Sequence, residues 1–180
     1  MKVRSKEMLF GILGKKNSSK EAKHLYNTAL DQSRLEVFYS EYGVPDSVDG
    51  RFEMIALHVF LILHRLKQRD IKNNDLSQEL FDHMFKDLDQ ALREMGIGDL
   101  SVGRKVKSMA KAFYGRVAAF EASLHDEKEL NEAIFRNIYR GQEGNAQNSL
   151  KLAKYLEKQV AHLSDLKKAE LTTTTNLFKN

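Results

Sequence analysis

GVPDSVDGRF, residues 43–52, breaks a chain that otherwise reads as helix. It holds the only proline among the 180 residues and two of the ten glycines. Gly43 can take the left-handed conformation that ends a helix, because it has no Cβ to clash there. Pro45 fixes its own φ and pushes Val44 into an extended conformation, so the chain must leave the helix. Asp46 or Asp49 can then accept the free N–H groups that open the next helix. The stretch therefore predicts a helix–helix corner.

Upstream of the corner, Ser18 or Ser19 is expected to open a first helix carrying Leu25, Ala29 and Leu30, with a bend near Gln32–Arg34. A short second segment with Leu35, Phe38, Tyr39 and Tyr42 leads into Gly43. Downstream, a third helix runs from near Asp49 to about Arg69, and residues 54–63 are apolar except for His58. Ten such residues cannot cross a membrane, which needs about 20. A helix that is apolar nearly all round belongs in the middle of a bundle, so this one is expected to be the most buried.

The fourth helix starts after Asp75 and stops at Gly96. Leu76, Leu80, Phe81, Met84, Phe85, Leu88, Leu92 and Met95 recur at helical spacing on one face. Asp75, Glu79, Asp82, Asp87, Asp89, Glu94 and Asp99 are opposed in charge only by Lys86 and Arg93, so the other face is acidic. Asp99 or Ser101 can cap a fifth helix, over about 102–124. It is the opposite in charge: no acidic residue lies between Leu100 and Phe120, while Arg104, Lys105, Lys107, Lys111 and Arg116 are basic. Either these faces are solvated or packed against each other, or they form a recognition surface. Gly115 within this helix signals a close backbone approach, and its neighbours Phe113 and Tyr114 read as core or as partner contacts. A sixth helix covers roughly 127–140 and a seventh runs from about Asn145 to Lys168. Beyond Leu171 the TTTT run should fray, because threonine is a poor helix former. No strand pattern competes, so the fold expected is all-α: a single-domain bundle of six to seven helices with short loops.

Charge divides the chain unevenly. Residues 1–16 carry five basic residues against one Glu, a net +4 that equals the +4 of the whole chain. The body is therefore not a generally basic, nucleic-acid-like domain. With Met8, Leu9, Phe10, Ile12 and Leu13, this segment is either a basic amphipathic contact for anionic lipid or a frayed terminus. The apolar core is too short for a secretory signal. The expected organisation is a flexible basic tail over 1–17, a helical domain over 18–171 and a frayed end over 172–180.

Catalytic signatures are lacking. The chain has no cysteine, which removes thiol nucleophiles and thiolate metal sites. Glu21 and His24 make one Glu-x-x-His pair where a carboxylate di-metal bundle needs two. His58 and His64 are six apart, about 240° around a helix, and do not converge as ligands. His58 reads as a hydrogen-bonded core histidine. Gly11 to Lys15 lacks the phosphate-loop spacing, and no nucleophile elbow is present. No cofactor is expected.

Taken in order, PDSVDGRF at 45–52, LHVFLILHRL at 57–66, LREMGIGDL at 92–100 and AFYGR at 112–116 resemble the ubiquinol–cytochrome c chaperone family, over about Leu25 to Tyr139. The resemblance implies a non-enzymatic assembly factor for the cytochrome bc1 complex, in a shorter, bacterial-type form. It implies partners too: cytochrome b or another bc1 subunit, a small co-chaperone and proximity to the ribosome. The location implied is the cytoplasmic face of the inner membrane, the matrix side in mitochondrial relatives; the charge of residues 1–16 adds an expected contact with anionic lipid there. The candidate partner-binding residues lie in the family strings and are polar enough to be exposed: Asp46, Arg51, Asp89, Arg93, Asp99, Arg104 and Arg116. The alternative is a ribosome- or RNA-associated helical protein using the basic fifth helix, and an uncharacterised enzyme stands third.

Overall fold

The structure, a computed structural model, describes residues 19–142 and 144–179, and among them there is no strand. The basic segment 1–17 thus lies outside the described residues. Helix α1 covers 19–33 and α2 is the single turn Val37–Ser40. The long elements are α3 (Val48–Lys67), α4 (Asn74–Glu94), α5 (Asp99–Ser123), α6 (Glu127–Asn137) and α7 (Ala146–Asp165), with a short α8 (Lys168–Thr173) after them. This is the all-α bundle that the periodicity predicts.

The corner forms as expected at Gly43, whose φ is +64°, but its cap is different. Ser47 closes α3 by accepting from the Gly50 N–H at 3.1 Å, so neither Asp46 nor Asp49 is the cap. The turn is tight: the Ser47 N–H donates to the Pro45 carbonyl at 2.8 Å, and a Cβ on Gly50 would sit 1.9 Å from that oxygen. Both glycines of the string are required, one by φ and one by space. Tyr139 at the end of α6 locks the corner by donating its hydroxyl to the Tyr42 carbonyl at 2.6 Å.

α3 is the central element, packing against α4, α5 and α7. From Met54 to Leu63 only Ile55 is not buried. His58 is enclosed with both ring nitrogens bonded, Nδ1 to the Met54 carbonyl at 2.8 Å and Nε2 to the Tyr155 hydroxyl at 2.9 Å. A carbonyl can only accept, so Nδ1 carries the proton and Tyr155 donates to Nε2. Gln32 of α1 donates to Tyr155 at 3.2 Å, so one polar chain joins α1, α7 and α3.

Burial pushes the His58 pKa down to about 4. The unfolded chain therefore takes up a proton below about pH 6.5 that the folded chain refuses, and stability falls as pH drops through that window. Between pH 6.5 and 4.5 wild type should lose about 2 kcal/mol more than His58→Gln, measured as urea-unfolding free energies. Parallel pH profiles for the two proteins would contradict this.

The C-terminus departs from the expected frayed end. The chain does leave the helix at Thr174, but Leu177 and Phe178 return to the core, and the Phe178 ring meets His58 edge-on at 5.0 Å between centroids. Gln159, fully buried on α7, donates to the Lys179 carbonyl and accepts the Lys179 N–H. Threonine's poor helix propensity ends the helix; apolar burial then holds Leu177 and Phe178 in place.

Candidate partner-binding surface

The seven candidate residues fall into separate groups. Asp46 and Arg51 pair at 2.6 Å on the outside of the corner, and the Arg51 guanidinium lies 5.6 Å from the Tyr39 ring centre. The ion pair raises the Arg51 pKa further above its ordinary value, chiefly through the hydrogen bond that Arg51 donates to Asp46. At the α4–α5 corner, Arg93 bonds Asp89 at 2.6 Å and also reaches Asp99, so the three form one exposed cluster. Met95 and Leu100 beside it are 56% and 88% exposed. Arg104 reaches the Ser101 hydroxyl at 3.5 Å.

Arg116 is different, because its half-buried guanidinium is committed to a buried carboxylate. It donates to both carboxylate oxygens of Glu53 on α3, at 2.6 and 3.0 Å, and Glu53 is 6% exposed. A bidentate pair of this kind is among the stronger polar contacts in a protein. No sequence cue points to Glu53, since a carboxylate near the start of α3 reads as favourable to the helix dipole whether or not it has a partner. Arg65 is equally unmarked: its side chain is 3% exposed, forks onto Asp70 at 2.7 and 2.8 Å, and reaches the Leu166 carbonyl at 2.6 Å. That fork holds the Asp70 carboxyl below its usual range.

Beyond the Arg93–Asp99 pair at their corner, helices α4 and α5 meet through rings. Phe81 stacks on Tyr114 at 5.2 Å, and Phe85 meets Phe113 at 6.0 Å. The acidic side chains of α4 find other partners: Asp82 accepts from Gln78 and Asp87 from Tyr26. Phe113 is core, whereas Tyr114 is 57% exposed. An open groove of about 290 Å³ lies beside it, lined by Leu63, Lys67, Phe81, Phe113, Tyr114 and Val117 among others. Among the described residues Gly115 does not mark a close approach, because none of them lies within 4 Å of where its Cβ would be.

The remaining face of α5 is exposed for most of its length. Leu100, Arg104, Lys107, Lys111, Tyr114 and Ala118 all face solvent at spacings of four and three. Among the described residues no carboxylate pairs with Arg104, Lys105, Lys107 or Lys111. The sequence signal for this stripe is the acid-free run from 100 to 120 read at helical period. No group of three or more His, Asp or Glu among the described residues is placed to hold a metal. No described helix is long and apolar enough to cross a membrane.

A family model described as ubiquinol–cytochrome C chaperone matches residues 40–178. The match starts later than Leu25, where the resemblance begins, and runs past Tyr139 through α7 and the packed C-terminus. The chain is 25% identical over 154 residues to ubiquinol–cytochrome-c reductase complex assembly factor 1 of Xenopus laevis, covering 85% of this chain and 77% of that protein. The human protein of the same name is 23% identical over 154 residues, with 85% of this chain and 52% of that one covered. The crystal structure of the Cbp3 homolog from Brucella abortus is 32% identical and superposes with a TM-score of 0.77, over 95% of this chain and 99% of that one. A match across α3 to α7, with the same bundle in a solved relative, leads to one conclusion: this chain belongs to the ubiquinol–cytochrome c chaperone family.

Proposed function

We propose that this chain is a non-enzymatic assembly factor for ubiquinol–cytochrome c reductase, the cytochrome bc1 complex. In this reading it binds cytochrome b, or a small partner protein, and holds it until the neighbouring subunits arrive. The observation that carries the reading is the family match over residues 40–178. The distribution of polar chemistry supports it: the buried polar residues Glu53, His58, Arg65 and Gln159 are each bonded to groups of the chain itself. They join helices. The charged groups left for a partner lie on the surface, at Asp46–Arg51, at Asp89–Arg93–Asp99 and along α5 from Arg104. A client whose membrane spans have not yet packed carries polar groups that cost several kcal/mol each if left unpaired in lipid, about the scale a chaperone must offset.

The proposed location is the face of the inner membrane where cytochrome b is made, with residues 1–16 supplying contact to anionic lipid. The test is a brief pulse of labelled synthesis followed by purification of the tagged full chain from native membranes. Labelled cytochrome b should be enriched with the chain early and lost from it as the complex matures. Recovery of bulk RNA in place of cytochrome b, sensitive to salt, would support a ribosome- or RNA-associated role instead.

A further inference from the structure

We propose that the exposed face of α5 docks an acidic amphipathic helix of a partner protein, in an interaction that rests on the assembly role proposed above. The track is Leu100, Arg104, Lys107, Lys111 and Tyr114, with the groove beside Tyr114 taking an apolar side chain of the occupant. Leu100 and Tyr114 are 14 residues apart, about 21 Å along the helix at 1.5 Å per residue. They stand 88% and 57% exposed, with three cations between them. A solvated charged face has no need of a large apolar side chain at each end. A helix of about four turns spans this distance, with apolar residues at its ends and carboxylates between.

Charge selects the occupant. The basic side chains have no carboxylate partner among the described residues, so an acidic helix gains ion pairs without breaking any. Residues 1–16 carry net +4 and would be repelled. In a second copy, Asp82, Asp87 and Asp89 of α4 are already bonded to Gln78, Tyr26 and Arg93, and Glu127 and Glu129 of α6 face Lys154 and His125. Nucleic acid would match the cations but leaves the groove unfilled. That groove is lined by Leu63, Phe81, Phe113 and Val117. Gly115 and Ala118 beside Tyr114 present little bulk, so a partner backbone can come close.

The test places a photo-crosslinking phenylalanine analogue at position 114 of the full chain, in cells that depend on it, and sequences the adducts. The expected adduct maps to a protein segment with acidic residues at helical spacing. It should fall at least tenfold in the double variant Lys107→Glu/Lys111→Glu while the melting temperature stays within a degree or two. Adducts to RNA, to a second copy of this chain, or to a basic or extended segment would overturn the proposal. So would an adduct that survives the charge reversal, or no adduct in cells whose bc1 content still depends on the chain. If bc1 content does not depend on the chain yet the adduct forms as described, the assembly reading fails and the docking surface stands.

Discussion

Arg116→Ala should destabilise the fold by about 3 kcal/mol, the low end of the range for breaking a buried ion pair, because Glu53 is buried while Arg116 keeps 23% exposure. The loss comes from the carboxylate left behind. Glu53 stays on α3 with 6% exposure and without either of the hydrogen bonds, at 2.6 and 3.0 Å, that offset its removal from water. Replacing both partners by similar volume, as in Glu53→Met/Arg116→Met, should recover most of the loss, because no unpaired charge then remains. Urea-unfolding free energies of the two singles and the double give the coupling directly. A loss below about 1 kcal/mol in Arg116→Ala would show that the pair behaves as a surface contact. The result also bears on function: a defect in this variant is expected to reflect unfolding before it reflects a lost partner.

Phe60→Ala should cost as much or more, roughly 3–5 kcal/mol, by a different route. Phe60 is completely buried on α3 and packs against Phe120 of α5, with ring centres 5.3 Å apart. Removing the ring forfeits its transfer free energy and leaves a cavity where two helices meet. Phe60→Leu keeps most of the volume and should lose less than half as much. The check is the same unfolding measurement with the slope held constant. A small change in Phe60→Ala would mean that α3 is not the centre of the bundle.

Much of the fold is legible in the sequence, and particular residues show why. Gly43 and Pro45 act through backbone geometry alone, so the corner comes from local chemistry. The apolar run of α3 and the 3–4 spacing of Leu76, Leu80, Phe81, Met84, Phe85, Leu88 and Leu92 determine which faces turn inward. Caps are less legible. Aspartate, asparagine and serine are nearly equal in capping strength, and which one closes a helix depends on the turn before it. Ser47 prevails over Asp46 and Asp49 because its own N–H is already held by the Pro45 carbonyl. At the α4–α5 corner Gly98 precedes α5 with no side-chain cap, although Asp99 and Ser101 are both capping residue types.

Long-range pairings are the least legible. Glu53 and Arg116 are 63 residues apart, and Gln159 meets Lys179 across a turn that propensity alone would leave open. The C-terminus illustrates the same limit: TTTT ends a helix, but only the packed core, where Leu177 is buried and Phe178 meets His58, explains why the chain comes back. For the surface, sequence marks Arg104 and the basic run but cannot separate Tyr114 from Phe113. Adjacent aromatics on a helix point about 100° apart, and the packing of α4 decides which one is covered.

The assembly role is tested most directly by the bc1 content of cells that lack this chain, read by native gel and by the reduced-minus-oxidised spectrum of the b haems. Assembled complex should be lost while the cytochrome b message persists, and the wild-type chain should restore it. Normal levels of assembled complex in the deletion strain would contradict the role.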